Sequence, residues 1–143
     1  MRIATWNIGE DERNEDGQVN IQSYKEIVNQ IEKEKIDVIC FQEAITSPKE
    51  KGIIKYIKNN TKLKHIFKYE LSESHINKNC KMGIAICSKY EINDIEKFLL
   101  DNPNIVYKPN NTTTYYSHDK GFLLCKIRKV YDNNRTLFTI SCI

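Results

Sequence analysis

Apolar and polar positions divide the chain into segments with distinct periods. Residues 2 to 8, RIATWNI, read as a strand, and GEDERNEDGQ after them holds five acids, two glycines and no apolar residue, which makes it a solvated loop. Ile21, Tyr24, Ile27, Val28 and Ile31 then recur at helical spacing, predicting an amphipathic helix over 21–36. The following IDVICFQEA is apolar on both parities, as a strand is when both faces of its sheet are covered. Strand, helix and strand in this order predict a parallel pair joined by a crossover. Ser47, Pro48 and Glu50 carry the signature of a helix start, with Ser47 as N-cap, and that helix runs to Asn59 or Asn60. Residues 63–71 and 82–88 read as strands separated by a polar loop over 72–81. The stretch 93–99 is ambiguous, and 102–120 reads largely as loop with a short strand around Ile105 to Tyr107. GFLLCKIRKV and RTLFTISCI flank YDNN, whose residues tolerate tight-turn dihedrals, predicting an antiparallel hairpin.

With 143 residues, 40% of them hydrophobic and 29% charged, the chain is of a size to bury most of its unfolded surface as one domain over 1–143. A net charge of +3 is too mild to indicate a dedicated nucleic-acid binder. Residues 49 to 68 carry seven lysines against one glutamate, which reads as a solvated helix face and loop, with steering of a polyanion as the other use. Tyr115 and Tyr116 could pack at a strand edge or stack on a base. The five cysteines are odd in number and have no CxxC spacing, so buried reduced thiols fit better than a disulfide frame or a zinc site. There is no apolar run near 20 residues and no leader pattern, which predicts a cytoplasmic protein without a transmembrane segment.

Side chains alternate along a strand, so Ile3, Thr5 and Asn7 share one face of the first strand, and Ile39, Phe41 and Glu43 one face of the second. Each row ends on a polar residue. Side by side in a parallel pair, Asn7 and Glu43 emerge at the carboxyl end of the sheet, where open α/β folds place ligands. A carboxylate there suits Mg²⁺, a hard cation taking oxygen ligands, and an amide beside it can bond a phosphate oxygen without adding repulsive charge. Polar residues that merely end strands would look the same.

RIATWNIG, DVICFQEA and MGIAICSKYEI, in this order and with helix-length spacing between the first two, resemble the signatures of the endonuclease/exonuclease/phosphatase superfamily. HDKGFLLCKI and RTLFTISCI are similar to the next two strands of that family. The resemblance implies an α/β fold, the N-terminal half of a DNase I-like four-layer sandwich, with a mixed sheet and helices on one face. By the same resemblance Asn7 matches the active-site asparagine and Glu43 the ligand of Mg²⁺ or Mn²⁺. Lys120 stands where some members place a basic phosphate contact, and Gly83 has a structural role. Gly9 stands where apurinic endonucleases carry aspartate, which argues against that activity.

The family's catalytic histidine, its DxN pair and its terminal SDH have no counterpart here, and His65, His75 and His118 lie outside those contexts. The expectation is therefore half of a Mg²⁺-dependent phosphoesterase acting on a nucleic acid, phospholipid or phosphoinositide. It would be inactive or nearly so without a C-terminal half, and would present an apolar sheet face where that half packs. The competing expectation is a non-catalytic remnant or binding module retaining the fold.

Overall fold

The computed structural model describes residues 1–9, 20–47, 52–74, 79–110, 112, 114–131 and 134–142. Strand β1 (Ile3–Asn7) leads to helix α1 (Ile21–Lys33), strand β2 (Val38–Ser47), helix α2 (Ile53–Asn60) and strands β3 (His65–Glu73) and β4 (Lys81–Ser88). These four strands form a mixed sheet in the order β1-β2-β4-β3, parallel at β1/β2 and antiparallel elsewhere. Strands β5 (Glu91–Leu99), β8 (Gly121–Tyr131) and β9 (Asn134–Cys142) form an antiparallel sheet in the order β5-β8-β9. Between β5 and β8, β6 (Val106–Tyr107) pairs with β7 (Tyr115–Tyr116) in a ribbon of its own.

Both helices lie on one face of the first sheet, where Tyr24, Ile27, Ile31, Ile53, Ile54 and Ile57 pack on Ile39, Phe41 and Ala44. The other face carries Val38, Cys40, Ile84 and Ile86, covered by Leu123, Cys125, Ile127, Ile140 and Cys142 of the second sheet. The described residues thus build three layers: helices, sheet and sheet. The apolar face expected to lie open is covered over β2 and β4 by the chain's own β8 and β9, whereas on the edge strand β1 Ile3 stays 51% and Trp6 40% exposed. By alternation along β8, the outer face of the second sheet carries Phe122, Lys126 and Arg128. Phe122 stacks on Phe98 with ring centroids 4.4 Å apart, and the two cations pair with Asp94 and Glu91 at 3.0 Å each. No helix among the described residues is long and apolar enough to cross a membrane.

Helix α1 starts at Asn20, whose side chain accepts from the amides of Gln22 and Ser23, so an N-cap satisfies two otherwise orphaned donors. It ends three residues before the periodicity does. Ile36 N bonds Ile31 O and Lys35 N bonds Glu32 O, a Schellman closure with Lys35 at φ +52°. The Ser47 cap is not formed. Ser47 is the last residue of β2, paired with Lys81, and α2 starts from Gly52 without a side-chain cap. Pro48 and Glu50, the rest of that signature, lie outside the described residues, as does His75. The segment 93–99 is strand, because Ile92 and Ile95 reach the inter-sheet core. All five cysteines are free and buried, and burial pushes the Cys87 thiol up to about 12.

Candidate active site

In the β1/β2 register Asn7 stands opposite Gln42, and opposite residues of a parallel pair share a face. That face is the inter-sheet one, since Thr5 and Gln42 bond each other and Gln42 Nε2 also donates to Cys142 Sγ at 3.7 Å. Ile39 and Phe41 belong to the helix face. Strict alternation would therefore turn Glu43 toward the helices, away from Asn7.

A β-bulge changes this. Phe41 pairs with Ala85 and Ala44 with Gly83, so Gln42 and Glu43 together face Ile84. Glu43 holds the extra residue's backbone at φ +51°, a left-handed conformation that costs a non-glycine residue roughly 1 kcal/mol. Beyond it Ala44 is back on the helix face. The row Ile39, Phe41, Glu43 is broken at its third member, and Glu43 joins Asn7 in the wall of a cavity of about 250 Å³. No hydrogen bond or ion pair holds the Glu43 side chain among the described residues.

The same cavity is walled by Gln42, Leu71, Ser72, Ile84, Asp119 and Lys120. Strand β3 has its own bulge at Leu71, between the pairs Glu70/Gly83 and Ser72/Met82. Gly83 thus lies opposite irregularities on both sides. A Cβ there would sit 2.0 Å from Tyr69 O, so only glycine lets β3 approach this closely. Ser72 Oγ is buried beside that bulge without a protein partner among the described residues. Lys120 is exposed at the rim, where its carbonyl accepts from Leu100 N at 2.8 Å. Asp119 is half-buried, with Oδ1 accepting from Asn102 Nδ2 at 2.9 Å.

Asn7 is oriented by the turn that follows it. Gly9 N donates to Asn7 Oδ1 at 3.0 Å, with Gly9 at φ +50°. The amide oxygen is the only acceptor in that side chain, so its Nδ2 is left as the donor.

The structure therefore brings Asn7, Glu43 and Lys120 to one cavity. His65 is exposed on β3, and His118 is half-buried on the segment leading to Asp119; neither lines the cavity. Gln42, Asp119 and Ser72 were not anticipated. The signal for the first two was adjacency, since Gln42 precedes Glu43 and Asp119 precedes Lys120, whereas Ser72 reaches the cavity only through the bulge in β3.

Neither a protein-family model nor a curated protein matches the sequence. Solved structures do match. An endonuclease/exonuclease/phosphatase family protein from Leptotrichia buccalis superposes with a TM-score of 0.60 at 14% identity, over 97% of this chain and 53% of that one. The endonuclease/exonuclease/phosphatase from Beutenbergia cavernae gives 0.60 at 18% identity, over 98% and 37%. The chain has the endonuclease/exonuclease/phosphatase fold. A β-hairpin deletion mutant of the beta toxin from Staphylococcus aureus shares this fold, with a TM-score of 0.54 at 16% identity, over 96% and 49%. The chain spans about half or less of the length of these proteins.

Proposed function

We propose that the chain is the N-terminal, Mg²⁺-binding portion of a phosphoesterase acting on a nucleic acid, phospholipid or phosphoinositide. The observation that carries this reading is the bulge at Glu43, which keeps a costly backbone conformation and sets a carboxylate with no partner among the described residues in the same cavity wall as Asn7. The donor set fits the ion: one carboxylate, with substrate phosphate and water completing the shell, is how Mg²⁺ is commonly held, and Mn²⁺ takes the same oxygens. When bound, the metal supplies charge stabilisation on a phosphoryl oxygen. Asn7 Nδ2 donates to a phosphate oxygen, its rotation fixed by the Gly9 turn. Lys120 adds a cation at the rim, and Gln42 ties the platform to β9. A water-activating base and further ligands come from a C-terminal half outside this sequence. The five free, buried cysteines support a reducing, cytoplasmic setting.

Mn²⁺ binding, followed by electron paramagnetic resonance, tests the metal site. Weak binding by the chain should be lost in Glu43→Gln and kept in Asn7→Ala. Fused to a complementary C-terminal half, the protein should hydrolyse a bis-nitrophenyl phosphate with Mg²⁺, whereas residues 1–143 alone should not. In the fusion, Glu43→Gln should cost most at limiting Mg²⁺, and Asn7→Ala should lower turnover with little change in the Mg²⁺ requirement. Robust EDTA-sensitive hydrolysis by the chain alone, or an unchanged Mg²⁺ requirement in Glu43→Gln, overturns the assignment. Phosphate-ester binding that needs no metal and ignores Glu43→Gln would favour a non-catalytic binding module.

A further inference from the structure

The β6/β7 ribbon belongs to neither sheet, yet Ile105, Val106, Tyr107, Tyr115 and Tyr116 are each 52–65% exposed. Val106 opposes Tyr116 and Tyr107 opposes Tyr115, so the two cross-strand pairs fall on opposite faces of the ribbon. Both faces are apolar or aromatic, and both meet solvent. Leu99 and Leu100 continue the patch toward the root. Contiguous exposure of this kind marks an interaction site.

Its chemistry selects among partners. From Phe98 to Asp119 one lysine stands against two aspartates, which does not suit a polyphosphate backbone. A protein surface docking on the ribbon would cover one face and leave the other wet. A ribbon that enters a soft apolar phase covers both at once. Tyrosines are suited to the boundary of that phase, with the ring in the apolar layer and the hydroxyl among headgroups.

The ribbon is also anchored. A lone two-stranded ribbon is marginal in water. Here Ser117 N donates to Ile105 O at 2.8 Å and Ile105 N to Ser117 Oγ at 2.9 Å. Ser117 Oγ donates to Asn102 Oδ1 at 2.6 Å, and Asn102 Nδ2 reaches Asp119. The root of the arm is thus hydrogen-bonded to the wall of the cavity.

We propose that the β6/β7 ribbon is a membrane-docking arm that inserts Tyr107, Tyr116 and their neighbours into the headgroup boundary of a neutral, zwitterionic phospholipid bilayer. On the phosphoesterase reading, docking brings the cavity to the depth of lipid phosphates and selects a phospholipid substrate. The docking itself needs neither metal nor catalysis, so it is tested without either.

The test is flotation of the full chain with phosphatidylcholine vesicles in EDTA. The wild type should float, and Tyr107→Ser/Tyr116→Ser should lower the partition coefficient roughly tenfold or more. The melting temperature of the double variant should stay at the wild-type value, because both side chains are exposed. Ile3→Ser, which removes another exposed apolar side chain, from the edge strand β1, should float like wild type. The proposal is overturned if the wild type stays at the bottom of the gradient or floats only with anionic lipid. Undiminished flotation of the double variant, or an equal loss in Ile3→Ser, overturns it as well. So does finding that the tyrosines serve self-association in sedimentation velocity, or the gel shift of a single-stranded oligonucleotide, in place of flotation.

Discussion

Two carboxylates, one at the entry of strand β2 and one at the bulge within it, have opposite fates. Asp37, at its entry, accepts from Arg2 N at 2.9 Å and Tyr90 Oη at 3.3 Å, with Lys89 Nζ at 3.8 Å and the terminal amine at 3.9 Å. Burial pulls its pKa up, but the Arg2 amide and the charges of Lys89 and Lys129 outweigh that and hold it below the ordinary 3.8. Glu43, at the bulge midway along the strand, has no such partner among the described residues and sits on a left-handed backbone in a cavity wall. A carboxylate surrounded by donors stabilises the fold. On the proposed reading, one that the fold strains to present, with no partner among the described residues, is kept for a ligand.

The comparison breaks most visibly at Gly83, on which the bulged end rests. Gly83→Ala places a methyl against the Tyr69 carbonyl and should cost about 3 kcal/mol or more in urea unfolding, or prevent folding. If it unfolds like wild type, the close approach of β3 does not define the site.

Asp37→Asn should cost roughly 1–3 kcal/mol at pH 7, the range for removing a charged hydrogen-bond partner. The folded pKa is the lower one, so the contribution is complete above the unfolded value and is lost as pH falls through the folded one. Stability curves of wild type and variant, measured by chemical denaturation, should therefore converge below about pH 4. Convergence on raising the pH instead would remove Asp37 from its role. Glu43→Gln at neutral pH should change stability by less than about 0.5 kcal/mol.

The smallest effect isolates strain. Lys35 and Glu43 share nearly the same φ, +52° and +51°, one closing a helix and the other in the bulge. Replacing either by glycine should stabilise by up to about 1 kcal/mol, read as a shift in denaturant midpoint. If Lys35→Gly stabilises and Glu43→Gly does not, the bulge is held by more than its backbone angle.

How much was legible follows the same division. The regular half of β2, its parallel pairing with β1 and the burial of both its faces follow from apolar parity, because packing on two sides is written in every residue. The extent of β2 was not, since the Ser47-Pro48 signature competes locally with strand pairing to β4, and Ser47 pairs with Lys81. Strand β7 lay hidden in a polar stretch because two residues carry no period. At the site, the identities of Asn7 and Glu43 were visible in their motifs, but their meeting was not. It depends on a register that sets Asn7 against Gln42 and on an inserted residue that reverses the facing of Glu43, and alternation alone contains neither.

Gln42 reaches from β1 to β9, bonding Thr5 at 2.7 Å and a sulfur one hundred positions along the chain. That separation carries a schedule. During synthesis, β1 and β2 can pair long before Cys142 has left the ribosome, but the side chain beneath Glu43 gains its second anchor only when β9 docks. The cavity is therefore among the last features to become rigid, and a nascent chain that already holds its helix-side core still lacks a finished site.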